Sequence, residues 1–289
     1  IFWHEDGPLL FFPMAPDRAR IITSLGPSSG TPPVALDQEA FQKMVDARGP
    51  GGITLTGTEW VSAFRINERQ VENYRSGRVF LAGDAAHIHS PAGGQGMNTG
   101  MQDAINLAWK LALVIRGISS APALLESYDL ERRPVGAQVI AASGRMTRIG
   151  TLADHTLQHV RDFVAHILMG LSPVQQAITG LMAEVSIGYP DSPLNGPCLG
   201  EAKAGARVRP VAGETPFGSG DAPLFTACGG AGAAALAARF PSLVAASPRA
   251  SDGGDLMSLV RPDGYLAAQV EDADWLALVP YLQQIGAQN

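Results

Sequence analysis

The chain has 289 residues, enough for one large domain or two ordinary ones, and its 46% hydrophobic and 17% charged content is that of a globular protein. A net charge of −6 argues against nucleic acid, whose binding shows as a basic face, and no apolar run reaches spanning length because Lys110 and Arg116 interrupt the greasiest stretch. Cys198 and Cys228 stand far apart in no paired motif, which fits a reducing, cytoplasmic setting.

The opening Ile1-Phe2-Trp3-His4 has neither an initiator methionine nor a signal-peptide pattern, and so apolar a start reads as a cut through a folded domain. Leu9–Ala15 and Ala19–Leu25 read as paired strands around a Pro-Asp-Arg turn. Leu36–Arg48 follows as an amphipathic helix, with Leu36, Ala40, Met44 and Ala47 at helical spacing. Ile53–Ile66 returns to β-branched and aromatic residues in partial alternation, a strand signal, and Arg78–Ala82 reads as a short buried strand.

From Met97 to Ile115 the apolar positions Met97, Met101, Ala104, Ala108, Leu111 and Ile115 recur every three or four residues, a helix that Gly117 stops. Ala121–Ile140 suggests a second helix bent at Pro134, with further helical segments to about Val185. Glycine and proline accumulate between Gly188 and Asp221, which places a domain boundary there. Beyond it, Pro223–Cys228 and Leu243–Ser247 read as strands around the helix Ala231–Phe240. Asp255–Val260 and Tyr265–Val270 form a hairpin about Pro262-Asp263-Gly264, and a closing helix starts near Ala273.

The chemistry concentrates in Gly77–Gly100, "GRVFLAGDAAHIHSPAGGQGMNTG". An aspartate just past a buried strand sits at the carboxyl edge of an α/β sheet, where ligands bind, and Asp84 there suits vicinal hydroxyls of a ribose or a sugar-like chain. Gly83 beside it removes the side chain that would block approach. Gly93-Gly94-Gln95-Gly96 brings bare backbone to the first turn of the long helix, whose unpartnered N–H groups and positive dipole end favour a ligand that carries or develops negative charge. A flat ring, a ribose and a developing anion together suggest a flavin.

The segment "GRVFLAGDAAHIHSPAGGQGMNTGMQDAINLAWKLALVIRG" resembles the second FAD-binding motif of the single-component aromatic-ring hydroxylases, the para-hydroxybenzoate and phenol hydroxylase type. "LLESYDLERRPV" resembles the continuation of that domain, and "LVRPDGYLAA" the thioredoxin-like carboxyl-terminal domain of many members. The resemblance implies an α/β fragment: a partial substrate-covering β-sheet (residues 1–75), the end of a Rossmann-like FAD-binding domain with a helical connector (76–187), and a thioredoxin-like domain (188–289). It implies that Asp84 and Gly83 meet the ribityl or ribose region of FAD, and that Gly94 belongs to the same loop. Pro91 would face the reactive edge of the flavin as the candidate catalytic-loop residue. The backbone of Gly96, Met97 and Asn98 would meet the pyrimidine end, and Arg69 occupies the basic position upstream. Phe12, Pro13 and Met14 become candidate lining of the substrate pocket. The implied reaction is hydroxylation of a small aromatic, phenolic substrate with dioxygen and NADPH or NADH.

The family begins with a strand, a G-x-G-x-x-G turn and a helix for the FAD pyrophosphate; neither these nor its second, DG-containing motif is present, so the chain reads as the carboxyl-terminal part of such an enzyme, expected to bind FAD poorly by itself. An epoxidase, halogenase-like or polyketide-tailoring oxygenase would use the same loop, and a non-catalytic remnant or interaction module is the third reading.

Plainer roles stand beside these. Asp84 also suits a turn or helix cap. His87 and His89 have no third ligand to suggest a metal and are expected to shape the loop. Gly230-Ala231-Gly232-Ala233-Ala234-Ala235 fits G-x-G-x-x-A but lacks the acidic residue after the next strand, which favours a tight βα turn over a second nucleotide site. Cys228 stands alone, so no disulfide exchange is expected, and the tail is read as packing or an oligomer contact such as a homodimer. Asp103, Asn106 and Lys110 read as a solvated helix face, and Glu131, Arg132 and Arg133 equally as an anchor for that helix or as surface.

Overall fold

The structure, a computed structural model, describes residues 1–4, 6–26, 36–120, 122–150, 184–209, 211–251 and 254–286; the helical segments expected between 151 and 183 lie outside them. The chain divides into two compact units. One comprises Ile1–Glu68, His89–Gly93 and Ala141–Ile178, the other Arg69–Ile88, Gly94–Ile140 and Thr179–Asn289.

In the first unit, β1 (Leu9–Ala15) pairs antiparallel with β2 (Arg18–Thr23), Leu9 opposite Thr23, as the two apolar runs around the turn predict. Helix α1 (Gln38–Arg48) starts at Asp37, whose carboxylate accepts the Ala40 N–H at 2.9 Å, and it buries Val45. Arg48 at its far end donates to Thr23 Oγ1 (2.9 Å) and to the Ser24 carbonyl (2.7 Å), fixing the helix to the hairpin. The strand expected over 53–66 does not form. Instead the Gln42 side-chain amide donates to the Ile53 carbonyl (2.8 Å) and accepts the Leu55 N–H (2.7 Å), supplying the partners a neighbouring strand would.

In the second unit, β3 (Arg69–Gln70) pairs with β6 (His87–Ile88), and β4 (Arg75–Ser76) with β5 (Val79–Phe80), both antiparallel. The expected buried strand at 78–82 is therefore a two-residue edge whose Val79 is 63% exposed. A single 3-10 turn, Gly83–Ala85, leads from it towards α2 (Gly96–Ile115). Helix α3 (Pro122–Gly150) runs on through Pro134 and ends in the first unit.

Helix α2 has the predicted length but turns the other face inward. Met97, Met101, Ile105 and Ile115 are at least half exposed, whereas Asp103, Asn106 and Lys110 are buried. Its inner residues Trp109 and Leu113 and the Leu124 side chain of α3 join a core with Phe225, Leu236, Met257 and Leu282.

That core belongs to the carboxyl-terminal layer. Its sheet has the order β7 (Thr226–Cys228), β8 (Leu256–Val260), β9 (Leu266–Glu271), all antiparallel, and the predicted hairpin about Pro262-Asp263-Gly264 is present. On the other side of β7, Phe225 and Cys228 make parallel bridges to Val244 and Arg249, so the expected strand Leu243–Ser247 contributes one isolated bridge, at Val244. Helix α4 (Ala231–Arg239) makes the crossover, and a 3-10 stretch Asp272–Leu278 precedes α5 (Val279–Ile285).

Beside that shared apolar core, paired charges join this layer to the two long helices. Glu131 of α3 is fully enclosed and accepts both Arg261 nitrogens, Nη1 at 2.7 Å and Nη2 at 2.9 Å, together with Lys110 Nζ at 2.8 Å. Arg261 in turn grips Asp263, with Nε at 3.0 Å and Nη2 at 2.6 Å, and Trp109 Nε1 donates to the same carboxylate at 3.1 Å. Two cations and two anions balance in a site with no water-facing side, and such burial is tolerated only because each charge is paired. Burial alone would raise the Glu131 carboxyl, but Arg261 and Lys110 hold it well below its ordinary value; burial pushes Lys110 down to about 8 against the pull of Glu131.

Replacing Glu131 by Gln leaves Arg261 and Lys110 as buried cations without their shared anion. Chemical denaturation is expected to show a loss of about 3–5 kcal/mol, the cost of breaking one partner of a buried pair. The wild-type carboxylate stabilises fully above its unfolded value of 4.5, and that contribution disappears as pH falls below it. The midpoint temperature of the wild type should therefore drop below pH 4.5 more steeply than that of Glu131→Gln.

Candidate functional site

Asp84 lies exposed in the Gly83–Ala85 turn, directly after β5. Gly83 has φ of +58°, a conformation open to glycine, and its Cα approaches Gly100 of α2: a Cβ on Gly100 would stand 3.4 Å from it. Two glycines thus let the turn lie against the first part of the helix.

The turn is fixed from below by Asp103, 0% exposed on the inner face of α2. Asp103 Oδ2 accepts the Gly83 N–H at 3.0 Å and lies 3.0 Å from His87 Nε2, which must carry the proton because a carboxylate only accepts. Asp103 Oδ1 takes Arg132 Nε at 2.6 Å, and Arg132 also donates to the Thr99 carbonyl and the Tyr189 hydroxyl, both at 3.1 Å. Burial alone would raise the Asp103 carboxyl; His87, Arg132 and the Gly83 amide together hold it below its ordinary value, so it is ionised. The solvated-face reading of Asp103, Asn106 and Lys110 is thereby corrected, and of the Glu131-Arg132-Arg133 run the first two are anchors while Arg133 stays half exposed. Their charge in the sequence signalled solvent; partners on another helix reversed that.

Helix α2 begins at Gly96 with no side-chain cap and no acidic residue in its first turn. Its first N–H groups, those of Gly96, Met97 and Asn98, belong to the dipole's positive end. Gly94, at φ +64° with open space where a Cβ would be, brings bare backbone to the same place. Helix α4 shows the contrast. There Asp272 accepts the N–H groups of Gly230 (2.9 Å), Gly232 (2.8 Å) and Ala233 (3.1 Å), and these bonds draw its carboxyl below the ordinary range. The G-x-G-x-x-A decoy is closed by the protein's own anion, whereas at α2 the buried Glu184 carboxylate meets the Thr99 hydroxyl and the Gln102 side chain, within the first two turns.

Of the residues singled out in the sequence, Gly83, Asp84, Gly94, Gly96, Met97 and Asn98 fall in the second unit around the turn and the start of α2, and Met97 is 75% exposed. Arg69 is there too, exposed on β3 with its backbone opposite Ile88. Pro91 falls in the first unit, exposed beside Ser90, whose hydroxyl is 2.6 Å from that of Thr147. Phe12, Pro13 and Met14 lie exposed on β1 of that unit. Among the described residues no cluster of His, Cys, Asp and Glu is arranged to hold a metal, and no helix is long and apolar enough to cross a membrane. Sequence reasoning missed His87, Asp103 and Arg132 as one assembly, since they come from β6, α2 and α3 and no local pattern joins them.

Comparison with known proteins fits this geometry. Residues 5–143 match the FAD binding domain family. Over 280 residues the chain is 34% identical to 6-methylpretetramide 4-monooxygenase of Streptomyces rimosus, an alignment of 83% of this chain and 50% of that protein. Pentachlorophenol 4-monooxygenase of Sphingobium chlorophenolicum is 47% identical over 112 residues, 39% of this chain and 20% of its own. Among solved structures, the anhydrotetracycline hydroxylase OxyS from Streptomyces rimosus superposes with a TM-score of 0.71 at 26% identity, over 99% of this chain and 60% of that one. The chain spans about half the length of the first of these relatives. The aspartate turn and the start of α2 thus lie inside a segment that matches the FAD binding domain family, in a chain similar over most of its length to a monooxygenase.

Proposed function

We propose that the chain is the carboxyl-terminal part of an FAD-dependent monooxygenase that hydroxylates an aromatic, polyketide-like substrate with NAD(P)H and dioxygen. The observation that carries the reading is the packing of the Gly83–Ala85 turn, which presents an exposed Asp84, against the first part of α2 at Gly100. The names of the relatives, a pretetramide 4-monooxygenase, an anhydrotetracycline hydroxylase and a pentachlorophenol 4-monooxygenase, support an aromatic substrate.

FAD, when bound, supplies the redox chemistry with dioxygen. The chain's own residues bind and orient it. Asp84 accepts hydrogen bonds from its hydroxyl-bearing chain, and the N–H groups of Gly96, Met97 and Asn98 stabilise negative charge developing on the ring's carbonyl edge. The family resemblance would assign Pro91 to the flavin-facing loop, Arg69 to the cofactor, and Phe12, Pro13 and Met14 to the substrate. The residues present fit this group: Asp84 stands exposed on a turn whose Gly83 holds a left-handed conformation, and Gly94 has open space where a Cβ would be.

The exposed apolar stripe Met97, Met101, Ile105 on α2, with the open edge of β5 beside Val79, supports a covering polypeptide of the kind that the longer relatives have room for. The carboxyl-terminal layer, a parallel βα crossover followed by an antiparallel hairpin and a helix, supports the thioredoxin-like reading.

Amide chemical shifts read weak binding as well as tight. Titration of FAD into the protein is expected to move the signals of residues 83–86 and 96–98 first, and Asp84→Ala should weaken the response about tenfold or more, the scale of one hydrogen-bonded charge. Equal responses of variant and wild type, or shifts confined to the α4 turn, would remove this reading.

A further inference from the structure

The turn that presents Asp84 is short and outward-facing, and its internal hydrogen bond is a single one, from Ala86 N–H to the Gly83 carbonyl at 2.8 Å. Its tie to α2 is the Gly83 N–H on Asp103 Oδ2, and the same oxygen holds His87, so one carboxylate oxygen grips the loop at both ends. The other oxygen is taken by Arg132 Nε at 2.6 Å, and Arg132 cannot swing because Thr99 and Tyr189 hold its two remaining nitrogens. We infer that Asp103 is a positioning residue of the flavin-facing turn, setting where the Asp84 carboxylate stands relative to the amino end of α2 without touching the cofactor itself.

The inference deepens the flavin reading of this turn and rests on it. Its physical content lies in the number of acceptors. A carboxylate offers both oxygens to three donors; an asparagine offers one. In Asp103→Asn the amide oxygen turns to the Arg132 guanidinium, where the charge is, and the amide nitrogen then faces Gly83 and His87. The imidazole can adopt its other tautomer and accept, but the backbone N–H of Gly83 has no such choice and loses its acceptor. Release should therefore be local to the turn.

Site-resolved amide hydrogen exchange tests this first in the wild type. The Gly83 amide is expected to exchange at least about tenfold more slowly than those of the exposed neighbours Asp84 and Ala85, the protection one charge-assisted hydrogen bond provides. In Asp103→Asn it should speed up about tenfold, while the amides of Leu236 and Leu259 in the carboxyl-terminal core keep their rates and the midpoint concentration of FAD in the shift titration rises about tenfold. A fast Gly83 amide in the wild type overturns the inference even if the variant does not fold. So does unaltered exchange in a folded variant, or faster exchange with unaltered FAD response. A wild type whose amides ignore FAD, but whose Gly83 behaves as expected in both forms, would sink the flavin reading and with it the positioning role, leaving a structural tether.

Discussion

The second unit depends on a buried carboxylate that has been given enough donors. Asp103 sits at the crossing of the glycine loop, helix α2 and helix α3, and each contributes to it: Gly83 and His87 from the loop, Arg132 from the second helix. An unpaired carboxylate at that depth would cost several kcal/mol. Satisfied, it imposes one geometry on three elements at once, because moving any of them strips a charge of its partner.

A second cluster lies one to two turns further along the same helix. Lys110 and Asn106 of α2 meet Glu131 of α3, and Arg261 brings the carboxyl-terminal hairpin onto that carboxylate while stacking over Trp109, Tyr189 and Tyr265. Glu131 and Arg132 are adjacent in sequence, yet one serves each cluster. Tyr189 touches both, through its hydroxyl to Arg132 and its ring under Arg261. The two helices are thus joined by paired charges more than by the apolar stripe that periodicity would select. Such pairs contribute less net stability than an apolar core of equal volume and are strict about geometry.

The two helix starts show how one motif serves opposite ends. At α4 the donors of a glycine turn are saturated by Asp272, and a Cβ on Gly232 would lie 1.8 Å from the Asp272 carbonyl oxygen, so the chain packs itself into the place. At α2 a similar glycine turn precedes the helix, the Gln95 side chain makes no capping bond, and the nearby aspartate stands on an exposed turn. The difference from α4 lies in what the next elements of the chain bring up, since the glycines alone are alike.

Local pattern determined the paired strands at Leu9–Ala15 and Arg18–Thr23, the extents of α1 and α2, and the hairpin about Pro262-Asp263-Gly264, because period, glycine and proline act within a few residues. The Gly-Asp turn beside a helix start was equally legible, since every part of it lies within Gly83–Gly100. Which side of α2 faces inward was decided only by tertiary structure. Asp103 meets Arg132 29 positions away, Asn106 meets Glu131 25 away, and Trp109 meets Asp263 154 away, so a window one helix long sees charges without partners and reads them as solvated. Burial of a charge is a property of its surroundings, and those are assembled by the fold.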